Sequence, residues 1–299
     1  MSLTVVGSVA LDTVETPLGK VEEALGGAAV YFSLAASHFT PINLVGVVGE
    51  DFPEEHVQLL ASRDINLDGL ERADGKTFRW TARYHDDVND RDTLDTQLNV
   101  LESFQPKLSD AGKQAPYLFL ANIHPGLQLD VLEQSKPKFV GLDSMNLWID
   151  ITPDLLKQVL GKVDCLVIND AEARQLTNEH NLPVAARQIH ELGPKTVIIK
   201  KGEHGCLLFS ADGKTFAAPA LPLDRVVDPT GAGDTFAGGF MGYIAEQGNT
   251  EWETMKKAIV HGTVLASFTC ESFGPDSLAA VSREDIARRV AQFETLTRF

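Results

Sequence analysis

Short apolar runs alternate along the chain with stretches that repeat apolar residues at helical spacing. The apolar runs lack strict apolar–polar alternation, which is typical of strands in a sheet covered on both faces. Strands are predicted at residues 3–9, 43–48, 117–120, 139–143, 165–168, 197–200 and 206–209. Helices are predicted at residues 28–38, 53–62, 154–160, 171–177, 184–192, 234–247, 251–268 and 283–296. This order predicts a three-layer α/β/α fold with a doubly wound, mainly parallel sheet.

One segment, residues 77–85, has a different pattern. Its apolar residues occupy the even positions from 78 to 84 and alternate with polar ones, as in a strand with two different faces. Further candidate strands lie at residues 94–101 and 14–21. Together these strands predict a small β flap beside the main sheet. The alternative is an edge hairpin of the main sheet itself.

The composition limits the classes of function that are compatible with this chain. Its 299 residues include 26 basic and 42 acidic side chains, a formal net charge of −16. Such a charge repels nucleic acid and anionic membranes, so the expected partners are small molecules. No apolar run reaches the ~18 residues that a membrane span needs, and no charged-then-apolar leader opens the chain. Three cysteines without a C-x-x-C pair agree with these features, which together predict a cytoplasmic protein.

Residues 228–235, Asp-Pro-Thr-Gly-Ala-Gly-Asp-Thr, join a turn of small residues to a predicted helix. At the start of that helix the free N–H groups of Gly231, Ala232 and Gly233 and the helix dipole favour an anion. The same dipole favours the ionised form of Asp234, which can accept a proton from a hydroxyl group. Donors for phosphoryl oxygens next to a base indicate phosphoryl transfer. The alternative is a glycine-rich turn in which Asp234 only caps the helix.

The same stretch continues, after three residues, into Gly238-Gly239-Phe240-Met241. Over this whole length it resembles the C-terminal signature of the PfkB carbohydrate kinases, the family of ribokinase and adenosine kinase. The resemblance implies one ribokinase-like domain over residues 1–299, with a small β lid formed by residues 13–24 and 76–104. It also implies ATP and Mg²⁺ as cofactors, Asp234 as the catalytic base, and the amides of the turn as donors to the phosphoryl group.

Asn169-Asp170-Ala171-Glu172 follows a predicted strand and opens a predicted helix. Ligands bind at such carboxyl ends of strands in open α/β sheets. Asn169 and Glu172 have the spacing of a capping box, which is one interpretation. In kinases that resemble this chain the same spacing orders Mg²⁺-bound water and phosphate oxygens, so the resemblance favours a metal role. It also implies a monovalent cation such as K⁺ beside Asp228 and Thr230.

The segment from residue 200 to residue 205, Lys-Lys-Gly-Glu-His-Gly, lies between two predicted strands. A hairpin turn is its simplest interpretation. In ribokinase-like proteins the equivalent loop lines the nucleotide, which implies nucleotide contacts for Lys200, Gly202 and Gly205, and for Asn169 nearby. Thr263 in a later helix is assigned to the adenine, with helix packing as an equal alternative.

Two segments near the N-terminus resemble the substrate edge of the family. Asp12 follows the first predicted strand, and Gly26 and Gly27 precede the first predicted helix. A carboxylate accepts two sugar hydroxyls, and glycine exposes backbone N–H groups to a ligand. Tyr31 stands where relatives commonly have Asn in Gly-Gly-x-x-x-Asn, so the substrate contact differs there. Asn122, after the strand at 117–120, is a further candidate for this cleft.

These features predict an ATP-dependent kinase that phosphorylates a primary hydroxyl of a sugar or a sugar-bearing small molecule. A nucleoside is the alternative acceptor, because its base could stack on Phe78, Trp80 or Tyr84. A non-catalytic protein that binds a nucleotide or metabolite on the same fold is the third candidate. A homodimer through the apolar face of the lid is the expected assembly.

Overall fold

The computed structural model describes residues 1–298, and a nine-stranded sheet forms its centre. The predicted domain also includes residue 299, which lies outside the described residues. In spatial order the strands are β13 (Thr215–Ala218), β12 (Cys206–Ser210), β11 (Thr196–Lys200), β10 (Cys165–Asn169), β9 (Phe139–Asp143), β8 (Tyr117–Leu120), β1 (Leu3–Val6), β4 (Ile42–Gly49) and β5 (Ile65–Ala73). All neighbours from β11 to β5 pair in parallel, whereas β12 pairs antiparallel with β11 and β13.

Both faces of this sheet are buried. In β1, Val5 contributes to the core on one side, while Val6 contributes to the core on the other. Val167 and Leu166 of β10 divide between the two cores in the same way. Because positions on both faces must be apolar, the strands show no alternation in the sequence. The predicted three-layer α/β/α architecture is therefore confirmed.

Helices cover the two faces and connect the strands. They are α1 (Ala28–Ala36), α2 (Glu54–Ala61), α3 (Asp110–Gln114), α4 (Pro125–Gln134), α5 (Asn146–Ile151), α6 (Pro153–Leu160), α7 (Asp170–Thr177), α8 (Leu182–Leu192), α9 (Ala232–Gln247), α10 (Trp252–Thr269), α11 (Asp276–Ala280) and α12 (Arg283–Thr297). Within residues 1–298 none of them combines the length and the apolar character that a membrane crossing requires.

A second, four-stranded sheet has the order β3 (Gly19–Gly26), β2 (Ala10–Thr16), β6 (Phe78–Tyr84) and β7 (Arg91–Gln97). We call it the small sheet. Strand β6 confirms the prediction at residues 77–85. The single strand predicted at 14–21 is wrong, because the chain turns at Pro17 and Leu18 between the antiparallel strands β2 and β3. The strand predicted at 94–101 is shifted, since β7 ends before a 3₁₀ turn at Asn99–Ser103.

Several short or polar elements leave little signal in the sequence. Strand β5 lies at the edge of the main sheet and carries Asn66, Asp68 and Glu71, so its apolar pattern is weak. Helices α3, α5 and α11 have only five or six residues each. The first strand is also shorter than predicted, because the chain leaves the main sheet after Val6 to enter β2.

Helix α9 lies between α1 and α10 at unusually short distances. A Cβ atom on Gly238 would lie 2.3 Å from the carbonyl oxygen of Phe32 in α1, and one on Gly239 would lie 2.9 Å from Cα of Gly262 in α10. Glycine therefore permits both approaches. The packing brings the N-terminus of α9 beside that of α1, where the functional candidates converge.

Candidate active site

Three neighbouring strands of the main sheet end in polar residues. Asp143 is the last residue of β9, Asn169 of β10 and Lys200 of β11. Because these strands are parallel, their carboxyl ends lie at one edge of the sheet. Nζ of Lys200 donates a hydrogen bond to Oδ2 of Asp143 over 3.2 Å. This edge is the usual ligand position in an open α/β sheet.

The ammonium group of Lys200 also faces the start of α9. A Cβ atom built on Gly233 would lie only 3.0 Å from Nζ of Lys200. Burial by itself lowers the pKa of Lys200, but the carboxylates of Asp143, Glu172 and Asp234 outweigh it and raise the pKa above its ordinary value. A permanent cation therefore stands in front of a helix N-terminus, where it can contribute to binding an anion.

The turn before α9 has some, but not all, of the free N–H groups that an anion site needs. Gly231 is the N-cap residue in the left-handed conformation, with φ 75°, and residues 1–298 offer no hydrogen-bond acceptor to its N–H group or to that of Gly233. The N–H group of Ala232, by contrast, donates to the carbonyl oxygen of Pro229 over 3.1 Å. The expectation that all three amides are free is therefore wrong for Ala232, because the turn closes on itself there.

Asp234 lies in the first turn of α9 and is partly exposed. Loss of hydration raises its pKa to about 7, with Asp143 acting in the same direction and Lys200 and Arg91 opposing it. The helix dipole was expected to favour the ionised form of Asp234, but loss of hydration and the charge of Asp143 outweigh it and raise the pKa. A carboxylate with a pKa near 7 is a stronger base than an ordinary aspartate and suits proton abstraction at neutral pH.

Asn169 and Glu172 form a complete capping box at the start of α7. Oδ1 of Asn169 accepts from the N–H group of Glu172 over 2.8 Å, and Oε2 of Glu172 accepts from the N–H group of Asn169 over 2.8 Å. Burial, followed by the charge of Asp143, raises the pKa of Glu172 to about 7. The capping interpretation thus holds, and it leaves Oε1 of Glu172 as an acceptor near Lys200.

Asp12 and the two glycines meet at the junction of the two sheets. A Cβ atom on Gly26 would lie 2.0 Å from Oδ2 of Asp12, so no side chain fits there. Burial raises the pKa of Asp12 to about 7, the nearby N–H group of Gly27 opposes the rise, and the charges of Asp228 and Asp234 add to it. Asp12 is therefore electrostatically linked to the turn before α9.

Tyr31 and Asn122 contact different elements. Tyr31 is 2% exposed, and a Cβ atom on Gly231 would lie 2.3 Å from Cγ of its ring. The ring thus packs directly on the turn before α9. Oδ1 of Asn122 accepts from Nε1 of Trp148 over 2.8 Å, which joins Asn122 to helix α5 at the rim of the same edge.

The residues assigned to a monovalent cation are buried in the turn. Oδ1 of Asp228 accepts from the N–H group of Thr230 over 2.9 Å. Burial raises the pKa of Asp228, and its hydrogen bonds to Thr230 oppose the rise. The hydroxyl of Thr230 donates to Oη of Tyr84 over 3.2 Å. Strand β6 of the small sheet therefore contacts the turn directly.

The predicted nucleotide loop is a tight hairpin between β11 and β12, as the simplest interpretation of its sequence requires. Gly202 and Gly205 both have positive φ, 55° and 79°, at the two ends of a 3₁₀ turn. Thr263 lies within α10 and is 7% exposed, and its hydroxyl has no hydrogen-bond partner among residues 1–298.

The structure adds Trp148 and Arg91 to this edge and places there Asp143, which the sequence offered only as a weaker candidate for the same cleft. Asp143 had only a weak signal, the polar end of an apolar run. Trp148 joins through its bond to Asn122. Arg91 acts on the pKa of both Asp234 and Glu172, and its one signal in the sequence is that it is the only basic residue between Asp86 and Asp95.

Comparison with known proteins identifies the family to which this chain belongs. A family model described as pfkB family carbohydrate kinase matches residues 2–280. This chain belongs to the PfkB family. It is thus an ATP-dependent phosphotransferase of the sugar and nucleoside kinase type, as the signature at residues 228–241 implies.

Individual relatives of this PfkB kinase include nucleoside kinases. The cytidine kinase of Thermococcus kodakarensis is 32% identical over 248 residues, 81% of this chain and 87% of that protein. A nucleoside kinase of Methanothermobacter thermautotrophicus is 25% identical over 286 residues, 93% and 88% of the two chains. The nucleoside kinase of Burkholderia thailandensis, solved with inosine, has a TM-score of 0.78 at 19% identity and covers 99% of this chain and 98% of its own. This last similarity shows the fold alone, which is ribokinase-like.

Proposed function

We propose that this PfkB kinase phosphorylates the primary hydroxyl of a nucleoside. The observation that carries the proposal is the register of the small sheet, in which Trp80 pairs with Asp12 in parallel. Paired residues lie on the same face of a sheet, so a flat aromatic ring stands next to the carboxylate assigned to the sugar hydroxyls. A nucleoside presents a base for the ring and hydroxyls for the carboxylate.

Two further observations support a nucleoside. Tyr31 replaces the amide that relatives commonly carry, and its ring fills the space beside Gly231. A tyrosine cannot donate and accept in one plane as an amide does, so the sugar contact differs from that of relatives that have the amide. The cytidine and nucleoside kinases also match 81% and 93% of this chain.

The geometry supports a direct transfer in which Asp234 is the base. The acceptor hydroxyl forms a bond to the γ-phosphorus of ATP, its proton passes to the Asp234 carboxylate, and the bond from that phosphorus to the bridging oxygen of ADP breaks. Lys200 and the N–H groups of Gly231 and Gly233 hold the charge on the phosphoryl oxygens. Asp12 and Gly27 orient the acceptor.

The residues of the edge also fit the two cations that the family implies. Carboxylate and amide oxygens suit Mg²⁺, and Glu172, Asn169 and Asp143 supply them beside Lys200. Mg²⁺ would neutralise phosphate charge. The carboxylate of Asp228 and the oxygens of Thr230 are a donor set for K⁺, and burial of Asp228 favours a compensating cation. Replacement of K⁺ by tetramethylammonium should lower kcat, and an unchanged kcat would contradict a role for K⁺.

A panel of acceptors tests the proposed substrate class. Cytidine, adenosine and inosine are compared with ribose and fructose at fixed Mg·ATP, by ADP release and by mass of the product. A nucleoside should exceed both free sugars in kcat/KM by about 100-fold, because the base contributes a few kcal/mol of binding. Trp80→Ala should lower kcat/KM for the nucleoside and leave that for ribose little changed. Faster turnover of ribose or fructose by the parent enzyme would reject the nucleoside assignment.

We further propose a homodimer that forms through the lid, the small sheet. Leu18, Leu94 and Leu98 are exposed there to 43%, 49% and 45%. Strand β7 is an exposed edge strand. Exposed leucines on a small sheet that also has an open strand edge are typical of an association surface.

A further inference from the structure

Asn122 follows strand β8 at the carboxyl edge of the main sheet, where contacts on both sides fix its place. A Cβ atom on Gly7, at the start of the connection from β1 to the small sheet, would lie 2.7 Å from Cβ of Ala121. Nε2 of Gln128 donates to the carbonyl oxygens of Ala121 over 3.0 Å and of Asp143 over 3.4 Å. Asn122 therefore stands between the segment that enters the small sheet and the end of β9, and it is half-exposed there.

The amide of Asn122 has a defined orientation, because the indole N–H group of Trp148 can only donate. Nε1 of Trp148 donates to Oδ1 of Asn122 over 2.8 Å, and an amide turned the other way would place two donors against each other. The NH₂ group therefore lies on the opposite side of the amide. One of its N–H groups donates to Sδ of Met145 over 3.1 Å, and sulfur is a weak hydrogen-bond acceptor. Among residues 1–298 the other N–H group has no hydrogen-bond acceptor.

The indole of Trp148 is itself held from two directions. The ring of His124 meets it edge to face, with 5.2 Å between the ring centres and an angle of 80°. Nδ1 of His124 accepts from the N–H group of Gly126 over 3.1 Å, which fixes that ring at the start of α4. Nε2 of Gln175 in α7 donates to Oδ1 of Asp150 over 2.6 Å and so ties down helix α5, which carries Trp148. The donor therefore has a fixed position from which to orient the amide.

We propose that Trp148 is a positioning residue for the kinase reaction, which turns Asn122 so that its amide presents a hydrogen-bond donor to the acceptor molecule. The other side chains assigned to that molecule, Asp12 and Asp234, present carboxylate oxygens. A hydroxyl that gives its proton to such an oxygen still has a lone pair, and the amide supplies a donor for it. The inference rests on the proposed function and deepens it. The acceptor molecule must place an oxygen or a ring nitrogen beside Asn122, and an ammonium group there would be rejected.

Trp148→Phe tests this role, because it removes the indole N–H group and keeps an aromatic ring beside His124. With the best acceptor molecule of the panel, nucleoside or sugar, its KM should rise about tenfold, since the released amide can turn its oxygen towards that molecule. Both kcat and the KM for ATP should stay within about twofold of the parent, as for a contact made equally in the ground state and the transition state. Trp252→Phe is the matched control, because Trp252 begins α10 and its indole donates to no other residue among residues 1–298. Its kcat and both KM values should stay within about twofold of the parent.

Two variants of Asn122 separate positioning from a purely structural role of the indole. Asn122→Asp keeps an oxygen for the bond from Trp148 but presents a second oxygen to the acceptor molecule, so its KM should rise by about tenfold or more. Asn122→Ala should raise the same KM by about tenfold. Adding Trp148→Phe to Asn122→Ala should change this KM by less than about twofold, because the indole acts only through the amide.

A KM of Trp148→Phe for the acceptor molecule within about threefold of the parent would overturn the proposal. A tenfold rise caused by Trp148→Phe in the Asn122→Ala background would also overturn it, because the indole would then act by another route. If Trp148→Phe has a lowered melting temperature, Asn122→Asp decides: a raised KM supports the donor, and a parent-like KM contradicts it. A parent enzyme that prefers ribose would reject only the nucleoside assignment, since each comparison uses whichever acceptor molecule is best.

Discussion

At the scale of single residues, the decisive feature is the number of carboxyl groups held together at one edge. Asp12, Glu172 and Asp234 all have a pKa raised to about 7, mainly by burial and then by neighbouring carboxylates, which are Asp143 for Glu172 and Asp234, and Asp228 with Asp234 for Asp12. Lys200 and Arg91 supply the opposing charge for Glu172 and Asp234. Such raised values are typical of functional sites, because groups that titrate near neutral pH can exchange protons with a substrate.

Asp234→Asn tests the assigned base. The variant should lose about 100- to 10,000-fold in kcat while ATP binding persists, since an amide cannot accept the proton. In the parent, kcat/KM should rise with pH and level off above a pH of about 7, where the carboxylate is ionised. Turnover equal to that of the parent, or a rate that falls through this range, would contradict the assignment.

The same variant should change stability in a pH-dependent way. A carboxyl whose pKa is higher in the folded than in the unfolded state binds its proton more tightly when folded, so stability falls as pH rises from the unfolded to the folded pKa. Asp234→Asn removes this loss. Its melting temperature should therefore exceed that of the parent at a pH of about 8 and equal it at a pH of about 4. Equal melting temperatures at both pH values would show that the carboxylate is not destabilised by burial.

At the scale of elements, the site depends on how closely α9 packs against its neighbours. The contact of Gly238 with α1 holds the N-terminus of α9 against Tyr31 and the glycine pair at residues 26–27. The glycines of the signature thus serve two purposes. Some shape the turn, while Gly238 and Gly239 set the distance between helices.

Gly238→Ala tests this packing. The added Cβ would lie 2.3 Å from a backbone oxygen of α1, so the helices must separate. Unfolding free energy from urea titration should fall by about 1–3 kcal/mol, as in other overpacked cores, and kcat should fall as the turn moves. Gly161→Ala is the control, because its Cβ would meet nothing closer than 3.6 Å. Equal stability of the two variants would show that the helices adjust without cost.

At the scale of the whole molecule, an acidic protein binds an acidic substrate. The net charge of −16 opposes the approach of ATP, and the attraction is concentrated at the edge that holds Lys200 and Arg91. The lid contributes one of these two cations and also contacts the nucleotide loop through Asn89. Closure of the lid would therefore assemble the phosphate site and exclude water in the same movement.

The proposed lid dimer belongs to this scale as well. Light scattering after size exclusion should give twice the monomer mass, and Leu94→Asp should give a single monomer, because a charge disrupts an apolar interface. Leu296→Asp is the control, since Leu296 is 50% exposed on α12, outside the small sheet. A monomeric parent protein would reject the dimer. An unchanged mass of Leu94→Asp would place the interface elsewhere.

The sequence alone determined the features that depend on neighbouring residues. The turn and helix start at residues 228–235, the two-faced strand at 77–85, the hairpin around Gly202 and the capping box of Asn169 all depend on contacts within a few positions. The buried strands were recognisable because both faces of the main sheet require apolar residues. These local patterns were sufficient for the layered fold and for the family.

Only the tertiary structure decided how distant residues meet. Tyr84 and Thr230 are 146 positions apart, and Asn89 and Glu203 are 114 positions apart. The placement of Arg91, the bond of Lys200 to Asp143 and the raised pKa of Asp234 depend on such contacts. Hydration and charge at a buried group are sums over everything packed around it, and no local pattern contains that sum. The sequence therefore identified the candidate groups for the chemistry, and the packing decided their charge and their partners.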